Sequence, residues 1–198
     1  MDFASKNLTA GQLNAIVKKL GGEEMALRFL RDELTVSEPI AKKLLNFVTT
    51  TNVSEVTSFI VKDKFREGKT TDGVKIAWLG SNFKENFLGK TERGIASATL
   101  RIQKLTKDSL DAPILTELGD TAETTLAQLW ELMKLQGSGQ EGKLLVNGWA
   151  NIVYIRDKNE NLWAVYARWS SGSDGWVVGA YSVESPGRWG ADFQVVSR

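Results

Sequence analysis

Four short apolar stretches, each bounded by turn formers, fill the last fifty residues and call for an antiparallel sheet. They run Ala150 to Arg156, Leu162 to Trp169, Trp176 to Val183 and Phe193 to Ser197. Asp157 to Asn161 and Ser170 to Gly175 join the first three, and both are rich in residues that favour tight turns. A loop from Ser170 to Gly175 that closes with Trp169 opposite Trp176 sets the pairs Ala167 to Val178, Val165 to Ala180 and Trp163 to Ser182. Pairing Lys158 with Asn161 in the preceding turn adds Tyr154, Ile152 and Ala150 to that same face. One face then carries Tyr154, Trp163, Val165, Trp169, Trp176 and Val178. The other carries Val153, Ile155, Ala164, Tyr166, Val177 and Tyr181, with Tyr166 across from Gly179. Both faces are apolar, whereas a sheet with one wet face alternates apolar with polar. The sheet is therefore expected to be covered on both sides, with Trp169 and Trp176 beside the loop as its most exposed members.

Upstream the periodicity changes. Thr9 caps a helix with Gln12 as its capping-box partner, Leu8 and Leu13 stand at hydrophobic-staple spacing, and Leu13, Ile16, Val17 and Leu20 form one stripe. Gly21-Gly22 ends that helix. A second follows through Met25, Phe29, Leu30 and Leu34, and Pro39 is a natural stop. Ala41 to Val48 reads as a further short helix. Strand alternation then appears at Phe59 and Val61, at Val74, Ile76 and Trp78, and at Ala98, Leu100 and Ile102. Asp120 to Gln136 reads as the prominent helix, with Leu126, Leu129, Trp130 and Met133 on its buried face, and Gln136 to Gly142 as a flexible link. The fold class is α+β. A helical hairpin (1–39) precedes an α+β domain (40–198), mainly antiparallel, that carries one prominent helix and ends in a four-stranded meander (143–198).

The chain of 198 residues has no histidine and no cysteine. Disulfides, thiolate catalysis, Ser-His-Asp triads and zinc sites of the ordinary type are thereby excluded, so no catalytic, cofactor or metal residue is assigned. Met1 to Leu8 holds one lysine and no apolar core, unlike a secretory signal. No apolar run reaches the roughly 18 residues of a membrane span, so a cytoplasmic protein away from membranes is expected.

Three stretches, LTAGQLNAIVKKLGGEEMALRFLRDELTVSEP (8–39), LLVNGWANIVYIRDKNE (144–160) and VVGAYSVESPGRWGADFQVVSR (177–198), resemble a set of uncharacterised bacterial proteins, many of them from environmental sequence. The resemblance covers most of the chain and implies a bacterial origin. The opening stretch occurs in that set ahead of different continuations, which implies that the hairpin is a separable module. The set carries no known activity, so it transfers no catalytic residue.

Charge is balanced at +1 overall but uneven: residues 60–107 hold eleven Lys/Arg against five Asp/Glu, and residues 108–147 hold two against seven. A basic stretch suggests a polyanion, but its charges are spread along strands and turns. The second helix of the hairpin carries Glu23, Glu24, Asp32 and Glu33 against Arg28 and Arg31, which argues against phosphate binding. Five of the seven tryptophans follow residue 148, either as core or as a stacking platform. The candidate platform is Trp169 and Trp176 with Arg188 and Trp189. Asp157, Glu160, Asp174, Glu184 and Asp192 lie at turns, where carboxylates are ordinary. The leading expectation is a non-enzymatic binding or interaction protein with the hairpin toward a protein partner. The alternatives are a carbohydrate-binding or carbohydrate-active protein using the tryptophans and turn carboxylates, and, behind it, a polyanion or nucleic-acid binder through residues 60–107. A small-molecule or sugar ligand stays open.

Overall fold

The computed structural model describes residues 9–34 and 43–198. The expected staple residue Leu8, the stop at Pro39 and the first residues of the short helix at 41–48 lie outside them. The chain divides into two compact units, Met1–Lys42 and Lys43–Arg198.

In the first unit, α1 (Ala10–Lys19) starts at the Thr9 cap: the Gln12 N–H donates to Thr9 Oγ1 and the Thr9 N–H donates to Gln12 Oε1, which completes the capping box. Gly21 takes a left-handed φ of 99° and its neighbour Gly22 donates back to Val17 O, a Schellman ending. The second helix, α2 (Glu23–Leu30), is shorter than the sequence suggests. Asp32 takes a φ of 59°, and the Glu33 N–H returns to Arg28 O, so the helix closes before Leu34.

The second unit contains, in order, β1 (Leu45–Val53), β2 (Val56–Ile60), α3 (Val61–Lys64), β3 (Lys69–Thr71), β4 (Val74–Leu79), α4 (Ser81–Phe87), β5 (Thr91–Ile95), β6 (Ala98–Leu105), α5 (Asp111–Leu118), a 3-10 turn (Gly119–Thr121), α6 (Leu126–Lys134), β7 (Asn151–Arg156), β8 (Leu162–Ser170), β9 (Gly175–Ser182) and β10 (Gln194–Ser197). Eight strands form one sheet in the order β1-β6-β10-β7-β8-β9-β4-β3, and β2 pairs with β5 apart from it. All pairings are antiparallel except β10 with β7 and β4 with β9. The α+β class with a mainly antiparallel sheet is as expected.

Several local expectations are corrected. Leu45–Val53 is a strand and not a helix, because Val48 to Thr51 is a β-branched run that suits a pleated surface. Val61 opens α3 and does not continue the strand from Phe59. The prominent helix begins at Leu126, not Asp120. The Thr124 N–H is drawn to Tyr154 O at 2.9 Å, and Thr125 caps α6 in a second capping box with Gln128. The segment 136–142 is a built turn, not a flexible link. Gln136 is buried, its Nε2 donates to Gln140 O and Leu144 O, and its Oε1 accepts from the Leu144 N–H at 2.7 Å. Among the four C-terminal strands, β7, β8 and β9 form a meander, but β10 crosses back to lie between β6 and β7, parallel to β7.

The β8–β9 register is the expected one, from Trp163↔Ser182 through Trp169↔Trp176. The β7–β8 register is one residue from it. Asp157 donates its N–H to Asn161 O, Glu160 takes a left-handed φ of 66°, and Val153 faces Val165 while Ile155 faces Trp163. A shift of one residue exchanges the faces of a strand. Val153 and Ile155 therefore join Trp163, Val165, Trp169, Trp176 and Val178, and Ile152 and Tyr154 move to the opposite face. Both faces are covered. On one side lie Leu126, Leu129, Trp130 and Met133 of α6 with the Phe59, Phe65 and Phe83 cluster. On the other lie Ile114 and Leu118 of α5 and Trp189.

Candidate functional site

The segment from Thr106 to Ser109 is polar until it meets α5, whose first turn holds Asp111 within the apolar run Leu110 to Leu115. Asp111 is fully buried. Its Oδ1 accepts hydrogen bonds from Tyr154 Oη at 2.8 Å and Trp189 Nε1 at 2.7 Å, and its Oδ2 has no partner. Burial pushes the Asp111 carboxyl above the usual carboxylate range, against the pull of the two donors. Burial and then the adjoining carboxylate push the Tyr154 hydroxyl up as well. Above this anchor, Ser109 and Trp189 exchange backbone hydrogen bonds of 3.0 and 2.9 Å, which ties the start of α5 to the β9–β10 connection. Asp108 Oδ1 accepts the Ala191 N–H at 2.9 Å, and Glu117 accepts the N–H groups of Leu44 and Leu45 at 2.7 and 3.0 Å. These ties enclose a surface concavity of about 610 Å³, with Leu44, Leu110 and Pro113 as its apolar part and Lys107 and Arg188 as its cations. Its size is that of a small-molecule cleft.

The candidate platform divides between this concavity and the opposite side of the sheet. Trp169 is 7% exposed and Trp176 is fully buried, edge to face at 5.5 Å on the α6 side. Trp169 is closed in by Gly139, where a Cβ would fall inside its indole ring. Arg188 is exposed and lines the α5 concavity, and Trp189 is buried on the α5 side against Tyr166, Tyr181 and Phe193. The structure thus joins Trp169 with Trp176 and Arg188 with Trp189, but it does not bring the two pairs onto one surface. The residues that sequence reasoning passed over here are Lys107, Asp108, Asp111 and Glu117. Asp111 leaves a visible signal, an acid inside an apolar run, whereas Lys107, Asp108 and Glu117 leave none.

No family model, curated protein or solved structure matches this chain.

Three turn carboxylates, Glu160, Asp174 and Asp192, sit at left-handed φ values of 66°, 46° and 70°, a conformation that acidic turn residues tolerate better than most. Asp157 is buried and accepts from the Asn159 N–H, the Asn161 N–H and side-chain amide, and Trp163 Nε1. Burial works to raise its carboxyl, but these donors outweigh it and hold Asp157 below the usual range. A depressed folded-state value favours folding above the unfolded value, and that contribution is lost as pH falls through the folded one. Asp157→Asn is therefore expected to cost about 1–3 kcal/mol at neutral pH. Urea unfolding at pH 7 and pH 3 should show the gap to the parent closing at the lower pH, and a penalty independent of pH would contradict this account.

Glu160 and Glu184 share a second concavity of about 430 Å³ with Trp163 and Arg156, whose guanidinium donates to Glu123 at 2.9 and 2.6 Å. Of the basic residues between 60 and 107, Lys64, Lys75, Lys84, Lys90 and Lys104 each lie within ion-pair distance of a carboxylate, which dilutes the local positive field. Among the described residues no group of three or more Asp or Glu is placed to hold a metal ion, and no helix is long and apolar enough to cross a membrane.

Proposed function

We propose that the protein is a non-enzymatic binding protein whose N-terminal hairpin meets a protein partner. One observation supports this reading above the others. Leu13, Ile16, Leu27, Phe29 and Leu30 of α1 and α2 are 37–74% exposed, whereas Ala26 is the residue those helices bury. Helices of ten and eight residues are marginal alone and draw their stability from packing an apolar face. Clusters of exposed apolar side chains are the usual mark of an interaction surface. The lack of histidine and cysteine removes the commonest catalytic groups and leans the same way.

A photo-crosslinking residue in place of Leu30 of the full chain tests the proposal in bacterial cells. The expected result is a discrete adduct to a second polypeptide, lost when Leu27→Glu is added. Adducts mapping to residues 43–198 of the same chain would show the apolar face to be internal and would overturn the proposal. A carbohydrate-binding role is the second reading, favoured by the concavity that places Glu160 and Glu184 beside Trp163. Quenching of tryptophan fluorescence by oligosaccharides, abolished by Glu184→Ala, would move the assignment there.

A further inference from the structure

The α5 concavity carries chemistry that the hairpin reading leaves unused. Its two carboxylates are already engaged. Glu117 holds the N–H groups of Leu44 and Leu45, and Asp108 holds the Ala191 N–H and faces Arg188 Nε at 3.4 Å. Lys107 has no carboxylate within ion-pair distance among the described residues, whereas Arg188, 75% exposed, is paired with Asp108 through Nε and its terminal nitrogens donate no hydrogen bond among the described residues. The unpaired Lys107 thus borders the apolar part of the wall, where Leu110 stands 47% exposed beside Pro113 and Leu44. The walls are held in place before any ligand arrives, by the buried Asp111–Tyr154–Trp189 anchor, the Ser109–Trp189 bridge and the Glu117 contacts. Preorganisation of this kind lowers the ordering cost of binding.

The geometry points to a binding site for a small amphipathic carboxylate in this concavity. Its anionic head lies against Lys107 and Arg188, and its hydrocarbon body lies on Leu110, Pro113 and Leu44. Arginine's fork of donors suits a planar carboxylate, and lysine adds a point charge. An ammonium headgroup meets the Lys107 charge and finds the Asp108 and Glu117 carboxylates already holding backbone N–H groups, and a bare inorganic anion leaves the apolar wall uncovered. The site does not depend on what the hairpin binds.

The test is an amide chemical-shift titration of the full chain with four probes: octanoate, octanol, octylammonium and inorganic phosphate. Octanoate is expected to saturate with the tightest Kd of the four and to shift the amides of Lys107, Ser109, Leu110, Thr116 and Arg188. Lys107→Glu and Leu110→Ser are both surface changes, and a thermal melt confirms that each variant folds. Lys107→Glu should weaken octanoate about tenfold, the loss of one charge-assisted contact, while leaving octanol unchanged. Leu110→Ser should weaken octanoate and octanol alike. Equal affinity for octanoate and octanol, phosphate binding as tightly as octanoate, shifts centred away from α5, or no saturation by octanoate would each overturn the assignment.

Discussion

Glu92→Ala is expected to lower stability by about 3–5 kcal/mol, the cost of removing one partner from a buried charged pair. Glu92 belongs to β5, yet its carboxylate is buried at the N-terminus of α6, where Oε1 accepts the Leu126 N–H at 3.1 Å and Oε2 accepts the Ala127 N–H at 2.8 Å. Lys90 Nζ lies 3.3 Å from Oε1 and also donates to Arg156 O. The two N–H groups are among those that a helix leaves without internal partners, and the carboxylate complements the positive end of the helix. Alanine strands both donors away from water and leaves the Lys90 ammonium, itself largely buried, without its counter-charge. Glu92→Gln retains one acceptor oxygen and the shape, so it should cost less, about 1–3 kcal/mol. Urea unfolding of the full chain followed by tryptophan fluorescence gives both values. A Glu92→Ala penalty below about 1 kcal/mol, close to that of an ordinary surface change, would mean that water satisfies the α6 terminus.

Gly139→Ala is the second large effect, expected at about 2–4 kcal/mol from two separate causes. Gly139 takes a φ of 70°, where a side chain is strained. Its ideal Cβ also falls within the buried Trp169 ring, which stacks edge to face on Trp176. The backbone must withdraw or the indole must turn out, and either opens the α6 side of the sheet. Near-ultraviolet circular dichroism separates this from a purely local loop change, because the Trp169–Trp176 signal should fall together with stability. An unchanged spectrum and unchanged stability would show that 136–142 gives way freely, as a link would.

The β8–β9 hairpin was legible because alternation and loop length both fix the same register. At β7–β8 the sequence suggests a loop one residue shorter than the one observed. Glu160 adopts a left-handed conformation that lets three residues make the turn, and nothing in its chemistry marks it above Asp157 or Lys158. The helix α5 leaves a weak signal, because Pro113 in its first turn resembles a breaker although proline is tolerated there. Of the α5 concavity, Arg188 alone is named by the sequence, with its neighbour Trp189 buried behind the wall. Lys107, Asp108 and Glu117 reach it from segments that only tertiary pairing brings near. Trp169 and Trp176 suggested a platform because aromatic pairs suit both ligands and cores, and the turn that buries Trp169 is built by Gln136 and glycines whose sequence looks like a spacer.

The position of β10 has a consequence for how the chain acquires this architecture. Gln194–Ser197 is the wedge that joins β1-β6 to β7-β8-β9 within the large sheet. During synthesis, β1 to β9 must emerge before the strand that unites them, so the two halves wait with unpaired edges at β6 and β7. Exposed edges of this kind recruit other chains. Any state of the chain in which Gln194–Ser197 is not in place therefore exposes both edges at once.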